Sequence, residues 1–241
     1  AAKEAITSAG LENCKEEWAE NAGVILGSSI GGIETINYSY KQVFEKGHNR
    51  LHPLTIPKIM NNSATSLISI EYHIQGPSFT VSSACSSANH AMGIAYETIK
   101  SGKSKILITG GSESFLSFGG IKPWESLRVL SQSKCRPFSR GRDGLVHGEG
   151  AGIFVFESLA SAKDRKADIF AEVVGFSMSS DASDLIKPNN IGPQKALEGV
   201  LKDAMVNKTD VTYINAHGTG TMLNDKMESE AINKVFGRHS R

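Results

Sequence analysis

Apolar and polar positions along the chain fall into two alternating patterns. Short apolar runs, which are typical of buried strands, are separated by longer stretches with apolar residues at helical spacing. Strands are predicted at 23–29, 78–83 and 171–181. A strand is also predicted within 105–114, before a Gly turn, within 144–157, with a Gly interruption, and within 211–221, before a Gly/Thr loop. The predicted helices lie near 1–20 and at 33–44, 61–74, 86–100, 193–206 and 224–236. This alternation predicts an α/β layered fold.

Two segments between or after these elements have predictable roles. The stretch 112–143 carries PW, RPF and RGRDG and is expected to be irregular. Loops of this length in a compact domain usually cover a site or act in it. Gly237 follows the last predicted helix and is expected to be its C-terminal cap.

Composition restricts the class of protein. The chain has 241 residues with 39% hydrophobic and 21% charged residues and a net charge of +1, so neither nucleic acid nor a membrane surface is an expected main partner. No apolar run of about 18 residues predicts a membrane span. Cys14, Cys85 and Cys135 are too few for a disulfide framework, which favours a reducing compartment and a cytoplasmic location.

Known cofactor and metal motifs do not account for the chain. GEGAG resembles a dinucleotide fingerprint, but it does not open a helix after a first strand, and the sequence has neither a Walker A motif nor a CxxC or HxxxH zinc pattern. No metal or bound cofactor is therefore expected. The first residues have the pattern of an amphipathic helix and lack an initiator Met, which suggests that the chain begins inside a larger protein.

Cys85, in FTVSSACSSANHAMG, stands where a predicted strand ends and a predicted helix begins. Backbone N–H groups at a helix start are unpaired and the helix dipole is positive there, so a thiolate would be favoured over a thiol. The same N–H groups could hold the oxyanion formed when a thioester is attacked. Cys85 is therefore either a nucleophile on a sharp strand-to-helix turn or an inert buried cysteine.

His217 is the second candidate, in the segment NAHGTGT at the end of a predicted strand. Gly218 and Gly220 would let the backbone approach a ligand, and the hydroxyls of Thr219 and Thr221 could bind an amide or a phosphate linker. A structural role for this histidine is equally compatible with the local sequence.

Four other ionisable residues are weaker candidates. His90 is expected to be a packed, hydrogen-bonded histidine, and His147 could be structural or functional. Asp143 and Glu149 are better explained as partners of Arg142 or of backbone N–H groups than as acid–base groups.

Five ordered segments together resemble a β-ketoacyl synthase of the thiolase-like superfamily. The segments are GPSFTVSSACSSANHAMG, GGSES, CRPFSRGRDGLVHGEGAG, SMSSDA and NAHGTGTMLNDKMESEAINKVFG. The phrase IKPWESLRVLSQSKCRPFSRGRDGLVHGEGAG further resembles the nodulation-protein-E branch, whose synthases elongate specialised fatty acyl chains.

The resemblance implies a thiolase-like αβαβα layered fold and a homodimer with the SFTVSS strand near its axis. Residues 1–143 would form most of the N-terminal half without its first strand, and 144–241 the beginning of the C-terminal half. The resemblance also implies that the fold is incomplete at both ends, since the family's Lys-containing strand and second active-site histidine have no counterpart in this sequence.

The resemblance also implies a reaction. Cys85 would accept an acyl group from acyl carrier protein, and a malonyl carrier protein would lose CO₂ and attack that thioester. His217 would polarise the malonyl thioester carbonyl, Thr219 and Thr221 would contact the phosphopantetheine arm, and Ile30 would gate acyl-chain length. Ile59 and Met60 would help to close the partner subunit's acyl pocket. The alternatives are a truncated, non-catalytic remnant or interaction module, and another thiolase-fold acyltransferase that works without decarboxylation.

Overall fold

The computed structural model describes residues 1–12 and 18–240. The chain divides into two compact units, one formed by Ala1–Lys122 and Gly148–Glu172 and the other by Pro123–His147 and Val173–Arg241. Within the described ranges, no helix is long and apolar enough to cross a membrane.

The first unit contains a four-stranded sheet and most of the helices. Its strands are β1 Ala22–Gly27, β2 Ser78–Val81, β3 Ile106–Glu113 and β4 Gly150–Glu157. Its helices are α1 Ala2–Ser8, α2 Ile33–Tyr40 with a π-helical turn at Lys41–Glu45, α3 Thr55–Ile59, α4 Ser63–Tyr72, α5 Ser87–Lys100, α6 Phe118–Ser126, which continues into the second unit, and α7 Leu159–Asp164.

The strand order of the sheet is β2-β1-β3-β4. Strand β1 runs parallel to both neighbours, with Gly27 opposite Val81 on one side and Gly111 on the other, and β4 is antiparallel to β3. All six residues of β1 are buried, as expected for a central parallel strand covered on both faces. The carboxyl ends of β1, β2 and β3 therefore meet at one edge of the sheet.

Alternate residues of the central strands enter two hydrophobic clusters. On one face, Val24 and Leu26 pack with Ile106, Ile108 and residues of the N-terminal segment and α4. On the opposite face, Ile25 and Leu107 pack against Ala91 and Ala95 of α5. The small side chains of α5 let this helix lie close to the sheet, and the two clusters make the unit a layered α/β structure.

Most predicted elements of this unit are confirmed. Strands predicted at 23–29, 78–83 and 105–114 and helices at 33–44, 61–74 and 86–100 correspond to β1, β2, β3, α2, α4 and α5. The helix predicted near 1–20 is confirmed for α1 and for Trp18 and Ala19, which are helical, while residues 13–17, with Cys14, lie outside the described residues. The strand predicted at 144–157 is confirmed only for Gly150–Glu157.

The predicted irregular stretch 112–143 is wrong for Phe118–Ser126, which forms α6. Two glycines and Pro123 made this segment look like a loop. The hydroxyl of Ser117 accepts the N–H of Gly120 at 3.2 Å and so caps the first turn, which the local composition did not suggest. The short helices α3 and α7 were also missed.

The second unit contains α8 Ile191–Ala204 and α9 Met222–Phe236, with 3₁₀ turns at Lys208–Asp210 and Gly237–Ser240. The two helices confirm those predicted at 193–206 and 224–236. Gly237 ends α9 with φ +62°, which confirms the predicted glycine cap.

The strands predicted at 171–181 and 211–221 are wrong. A strand requires a neighbour to exchange backbone hydrogen bonds with, and in the described chain neither segment belongs to the sheet. The N–H of Phe176 bonds instead to the Asp203 carboxylate at 2.9 Å, and the carbonyl of Val211 pairs with the His239 ring at 2.8 Å.

Candidate active site

Cys85 lies on a tight turn between β2 and α5, and its side chain is exposed. The preceding residue, Ala84, has φ +52°, a left-handed conformation that costs a non-glycine residue about 1–3 kcal/mol. The hydroxyl of Ser87 holds the turn, accepting the N–H of Ser83 at 2.9 Å and donating to the carbonyl of Ala84 at 2.6 Å. The predicted strand-to-helix turn is therefore present, and the backbone within it is strained and fixed by hydrogen bonds.

Two glycines bring the start of α5 against the carboxyl edge of the sheet. A Cβ added to Gly27 would lie 2.2 Å from the carbonyl carbon of Ser87, and one added to Gly111 would lie 2.7 Å from the Ala88 Cβ. Neither distance is possible between real atoms, so the approach requires glycine at both positions. Open parallel sheets bind their ligands at this edge.

The helix that follows Cys85 is long enough to carry a dipole. Helix α5 has 14 residues, its N-cap is Ser86, and Cys85 stands one position before that cap. The positive end of the helix dipole therefore lies next to Cys85, which favours a thiolate and an oxyanion there.

Ile30 lies on the turn that follows β1, beside the Cys85 turn. The N–H of Ser28 donates to the carbonyl of Val81 at 3.1 Å, and the Ser82 hydroxyl donates to the carbonyl of Ser29 at 3.3 Å. On its other side, the turn reaches Ile59, whose carbonyl accepts the N–H of Gly32 at 3.3 Å. Within this unit the Ile30 turn thus lies between the segment that leads to Cys85 and the Ile59 carbonyl. Met60 follows Ile59 and is 49% exposed.

His217 belongs to the second unit, where its backbone is held by a carboxylate. Glu228 of α9 accepts the N–H of His217 at 2.6 Å and the N–H of Gly218 at 2.9 Å. The His217 side chain is exposed. Gly218 has φ +53°, so the chain turns sharply immediately after the histidine.

Thr219 and Thr221 place their hydroxyl oxygens 2.8 Å apart. Between them, Gly220 is buried with φ +77°, and a Cβ there would lie 2.6 Å from the carbonyl oxygen of Gly144. The segment 217–221 is therefore a close-packed loop that keeps two hydroxyls side by side.

Asp225 is the main functional candidate that sequence reasoning missed. Its side chain is 1% exposed, and it accepts the N–H of Phe138 at 2.7 Å and the N–H of Gly220 at 3.1 Å. The Nε of Arg142 lies 3.3 Å from the same carboxylate. Asp225 thus joins the segment around Phe138 to the His217 loop. The available signal was the pair Asp225 and Glu228, three positions apart on one helix face just after HGTGT.

The weaker candidates are all given partners. Asp143 pairs with Arg136 at 3.2 Å and accepts the Ser131 hydroxyl at 2.6 Å. Of its two predicted kinds of partner, Arg142 or backbone N–H groups, Arg142 pairs with Asp225 instead. The hydrogen bond from Ser131, aided by Arg136, lowers the pKa of Asp143.

Glu149 accepts the N–H of Leu116 at 2.9 Å, as the backbone-partner prediction requires. His90 forms a hydrogen bond with the Ser83 hydroxyl at 2.7 Å, which confirms the prediction of a hydrogen-bonded histidine. Burial lowers the pKa of His147, whose ring packs edge-on against Trp124 at 4.8 Å. The described residues include no group of three or more His, Cys, Asp or Glu side chains that could hold a metal ion.

The fold identifies the class of protein first. The structure superposes with a TM-score of 0.92, at 30% sequence identity, on one chain of a solved complex described as a type II polyketide-synthase acyl-carrier protein with its ketosynthase bound to the hexaketide. The match covers 100% of this chain and 62% of that chain. This confirms the predicted thiolase-like α/β fold.

The family follows from the sequence. The family model for the N-terminal domain of β-ketoacyl synthases matches residues 1–162, and the model for their C-terminal domain matches residues 170–241. The chain belongs to the β-ketoacyl synthase family.

Two curated relatives show how much of the family's length the chain covers. Nodulation protein E of Rhizobium sp. (strain N33) is 45% identical over 240 residues, which are 100% of this chain and 60% of that relative. The 3-oxoacyl-[acyl-carrier-protein] synthase 2 of Staphylococcus aureus is 38% identical over 248 aligned residues, with 100% of this chain and 61% of that relative covered. The chain spans about three fifths of the length of these relatives.

Proposed function

We propose that the protein acts in the decarboxylative condensation of an acyl thioester with a malonyl thioester carried on acyl carrier protein. The observation that carries the proposal is the Cys85 turn, where an exposed thiol stands at the start of a 14-residue helix that two glycines hold against the carboxyl edge of the sheet. Membership in the β-ketoacyl synthase family makes thioester chemistry the natural use of that thiol.

The first step is acyl transfer. The Cys85 thiolate attacks the carbonyl carbon of the incoming thioester, a new thioester forms on Sγ as the old C–S bond breaks, and the carrier's phosphopantetheine leaves as a thiolate that takes a proton from solvent. The positive end of the α5 dipole is placed to stabilise the oxyanion that forms between these two states.

The second step forms the carbon–carbon bond. The malonyl thioester loses CO₂, its carbanion attacks the Cys85 thioester carbonyl, and the C–S bond breaks to return the thiolate. His217 donates a hydrogen bond to the malonyl thioester carbonyl as negative charge develops there. Glu228 supports this role by fixing the backbone at His217 and Gly218.

Three further residues are assigned to substrate contacts. Thr219 and Thr221 bind the phosphopantetheine arm through their paired hydroxyls. Ile30 lies along the path of the acyl chain, since its turn adjoins the Cys85 turn. The reaction uses no cofactor, because both acyl groups arrive already activated as thioesters.

The proposal extends to the whole protein. Acyl carrier protein is the proposed partner, supported by the solved complex in which a similar ketosynthase binds one. We place 1–143 in the N-terminal half and 144–241 in the C-terminal half of the thiolase-like fold. A cytoplasmic homodimer is the proposed working form, in which Ile59 and Met60 close the acyl pocket of the partner.

Acylation followed by intact-protein mass spectrometry tests the first step. The protein is incubated with acyl carrier protein charged with an acyl group, and we expect one acyl adduct that disappears in Cys85→Ser and persists in Cys135→Ser. Cys135 is a suitable control because, like Cys85, it is exposed. Absence of the adduct in folded wild-type protein would support the non-catalytic alternative.

Decarboxylation of malonyl carrier protein tests the second step. We expect His217→Ala to leave Cys85 acylation within about twofold of wild type while CO₂ release falls by about a hundredfold or more. Equal loss of both activities would show that His217 supports the fold or activates the thiol. Acylation without any CO₂ release in the wild type would favour an acyltransferase that works without decarboxylation.

The reactivity of the two thiols gives an independent measure of the Cys85 site. We expect iodoacetamide to alkylate Cys85 at lower pH than Cys135, because only Cys85 precedes a helix N-terminus. Overlapping pH–rate curves would contradict the assignment of Cys85 as the nucleophile.

A further inference from the structure

Glu113, the last residue of β3, points its carboxylate at the turn that carries Ile30. It accepts the N–H of Ser29 at 2.7 Å and the Ser28 hydroxyl at 3.4 Å, and it also bonds the Ser29 hydroxyl. The residues are far apart in the sequence, so the contact depends on the sheet, which places the carboxyl ends of β1 and β3 side by side.

The contact reaches both sides of Ile30. The Ser28 hydroxyl that donates to Glu113 also accepts the N–H of Gly31 at 3.2 Å. Ile30 therefore lies between Ser29, bonded to Glu113 directly, and Gly31, bonded to it through Ser28. Ser28 is 8% exposed, and Glu113 and Ile30 are partly buried, so little water competes for these hydrogen bonds.

The remaining supports of the turn are hydrogen bonds between neutral groups, including the one from the Ser82 hydroxyl to the carbonyl of Ser29. Gly31 has φ +68°, and Gly32 donates to the carbonyl of Ile59 at 3.3 Å. Bonds from an N–H to a carboxylate are roughly twice as strong as neutral ones. Glu113 thus supplies the strongest tether that the structure gives this turn.

We propose that Glu113 is a positioning residue that fixes Ile30 beside the Cys85 turn and thereby sets which acyl-chain lengths Cys85 accepts. The proposal rests on the proposed function, in which Cys85 carries the acyl group and Ile30 lies along its path. Glu113 itself touches no substrate; it acts through the position of the Ile30 side chain.

Selectivity between a short and a long acyl group tests this role. The rates of Cys85 acylation by butyryl and dodecanoyl carrier protein are measured separately, and their ratio is compared between variants. We expect Glu113→Ala to change the ratio by about tenfold, the scale on which small changes in an apolar pocket discriminate substrates. Glu113→Gln, whose amide oxygen can still accept the Ser29 N–H, should restore the ratio in part.

Glu149→Ala is the matched control. Glu149 likewise accepts a backbone N–H, from Leu116 at 2.9 Å, and a serine hydroxyl, from Ser114 at 3.0 Å, but it holds the segment after β3 and not the Ile30 turn. A loss of stability alone would lower both acylation rates together. A selectivity change in Glu149→Ala equal to that in Glu113→Ala would overturn the proposal.

A double-variant cycle tests whether Glu113 acts through Ile30. If it does, Glu113→Ala combined with Ile30→Ala has the selectivity of Ile30→Ala alone, because the tether then has no side chain to position. If the selectivity changes of the two single variants instead multiply in the double variant, Glu113 acts on acylation by another route and the proposal is overturned.

Hydrogen exchange separates failure of the tether from failure of the proposed function. We expect the amide of Ser29 to exchange about tenfold or more faster in Glu113→Ala, since its acceptor is gone, and to be unchanged in Glu149→Ala. Unchanged exchange at Ser29 in Glu113→Ala overturns the tether whatever the activity. Faster exchange in a protein whose Cys85 takes up no acyl group retains the tether and overturns the proposed function.

Discussion

Replacement of Asp225 by Ala should destabilise the second unit strongly. The carboxylate is 1% exposed and accepts the N–H of Phe138 at 2.7 Å, the N–H of Gly220 at 3.1 Å and the side-chain amide of Asn224 at 3.4 Å. It also pairs with Arg142, whose side chain is 16% exposed, at 3.3 Å. Asp225→Ala removes the shared acceptor and leaves this largely buried cation without its carboxylate.

The expected magnitude follows from these contacts. A hydrogen bond to a charged group contributes about 1.5–3 kcal/mol, and removing one member of a buried ion pair costs about 3–5 kcal/mol. The terms share one carboxylate and do not add independently. We therefore expect Asp225→Ala to lower the free energy of unfolding by about 4 kcal/mol, and Asp225→Asn, which keeps one acceptor oxygen, by about half as much.

Native-state hydrogen exchange at the amides of α9, followed against urea, measures this change within the second unit. Glu230→Gln is the control, because Lys226 and Glu230 are exposed and 4.0 Å apart, and an exposed pair of this kind contributes under about 1 kcal/mol. A loss in Asp225→Ala no larger than the loss in Glu230→Gln would refute the reasoning.

Two further predictions concern the same unit. Burial lowers the pKa of His147, so the folded state favours the neutral ring; its stabilising contribution is complete above pH 6.5 and is lost as the pH falls below that value. The fluorescence of Trp124, taken as the difference between the wild type and Trp124→Phe, should change with a midpoint below pH 6.5. A midpoint above that value would contradict the assignment. Gly220→Ala should lower the free energy of unfolding by about 2 kcal/mol or more beyond the loss in Gly237→Ala, as measured by the urea-dependent exchange of α9 amides. Both glycines have positive φ, but only at Gly220 would a Cβ meet backbone atoms. Equal losses in the two variants would contradict this prediction.

Local patterns were sufficient for the sheet of the first unit. The apolar run of β1 is buried along its whole length. A short, continuous apolar run favours a strand covered on both faces, and this preference can be recognised from the run alone. The same reasoning failed for 171–181 and 211–221, where apolar residues favour an extended chain but the described structure provides no neighbouring strand. Strand formation depends on a partner that no local window contains.

The candidate site divides in the same way. Cys85 could be found because a strand end, a cysteine and a helix start are contiguous in the sequence. Asp225 and Glu113 could not be assigned roles, because Asp225 meets Phe138 across 87 positions and Glu113 meets Ser29 across 84. Their carboxylates look like ordinary surface acids until the fold brings backbone N–H groups to them.

The two glycines beneath the Cys85 turn also bear on how mutational tolerance should be interpreted in this protein. A saturation scan would mark Gly27 and Gly111 as intolerant to nearly every replacement, although neither carries a side chain that could meet an acyl group. Their intolerance would result from the close approach of the sheet edge to the helix start, because a Cβ added at these positions would lie only 2.2 Å and 2.7 Å from atoms of α5. Positions around Cys85 that are sensitive to mutation would therefore include residues that position the thiol by packing as well as residues that contact the substrate. Measuring the chemical reactivity of Cys85 in each variant would distinguish these two groups.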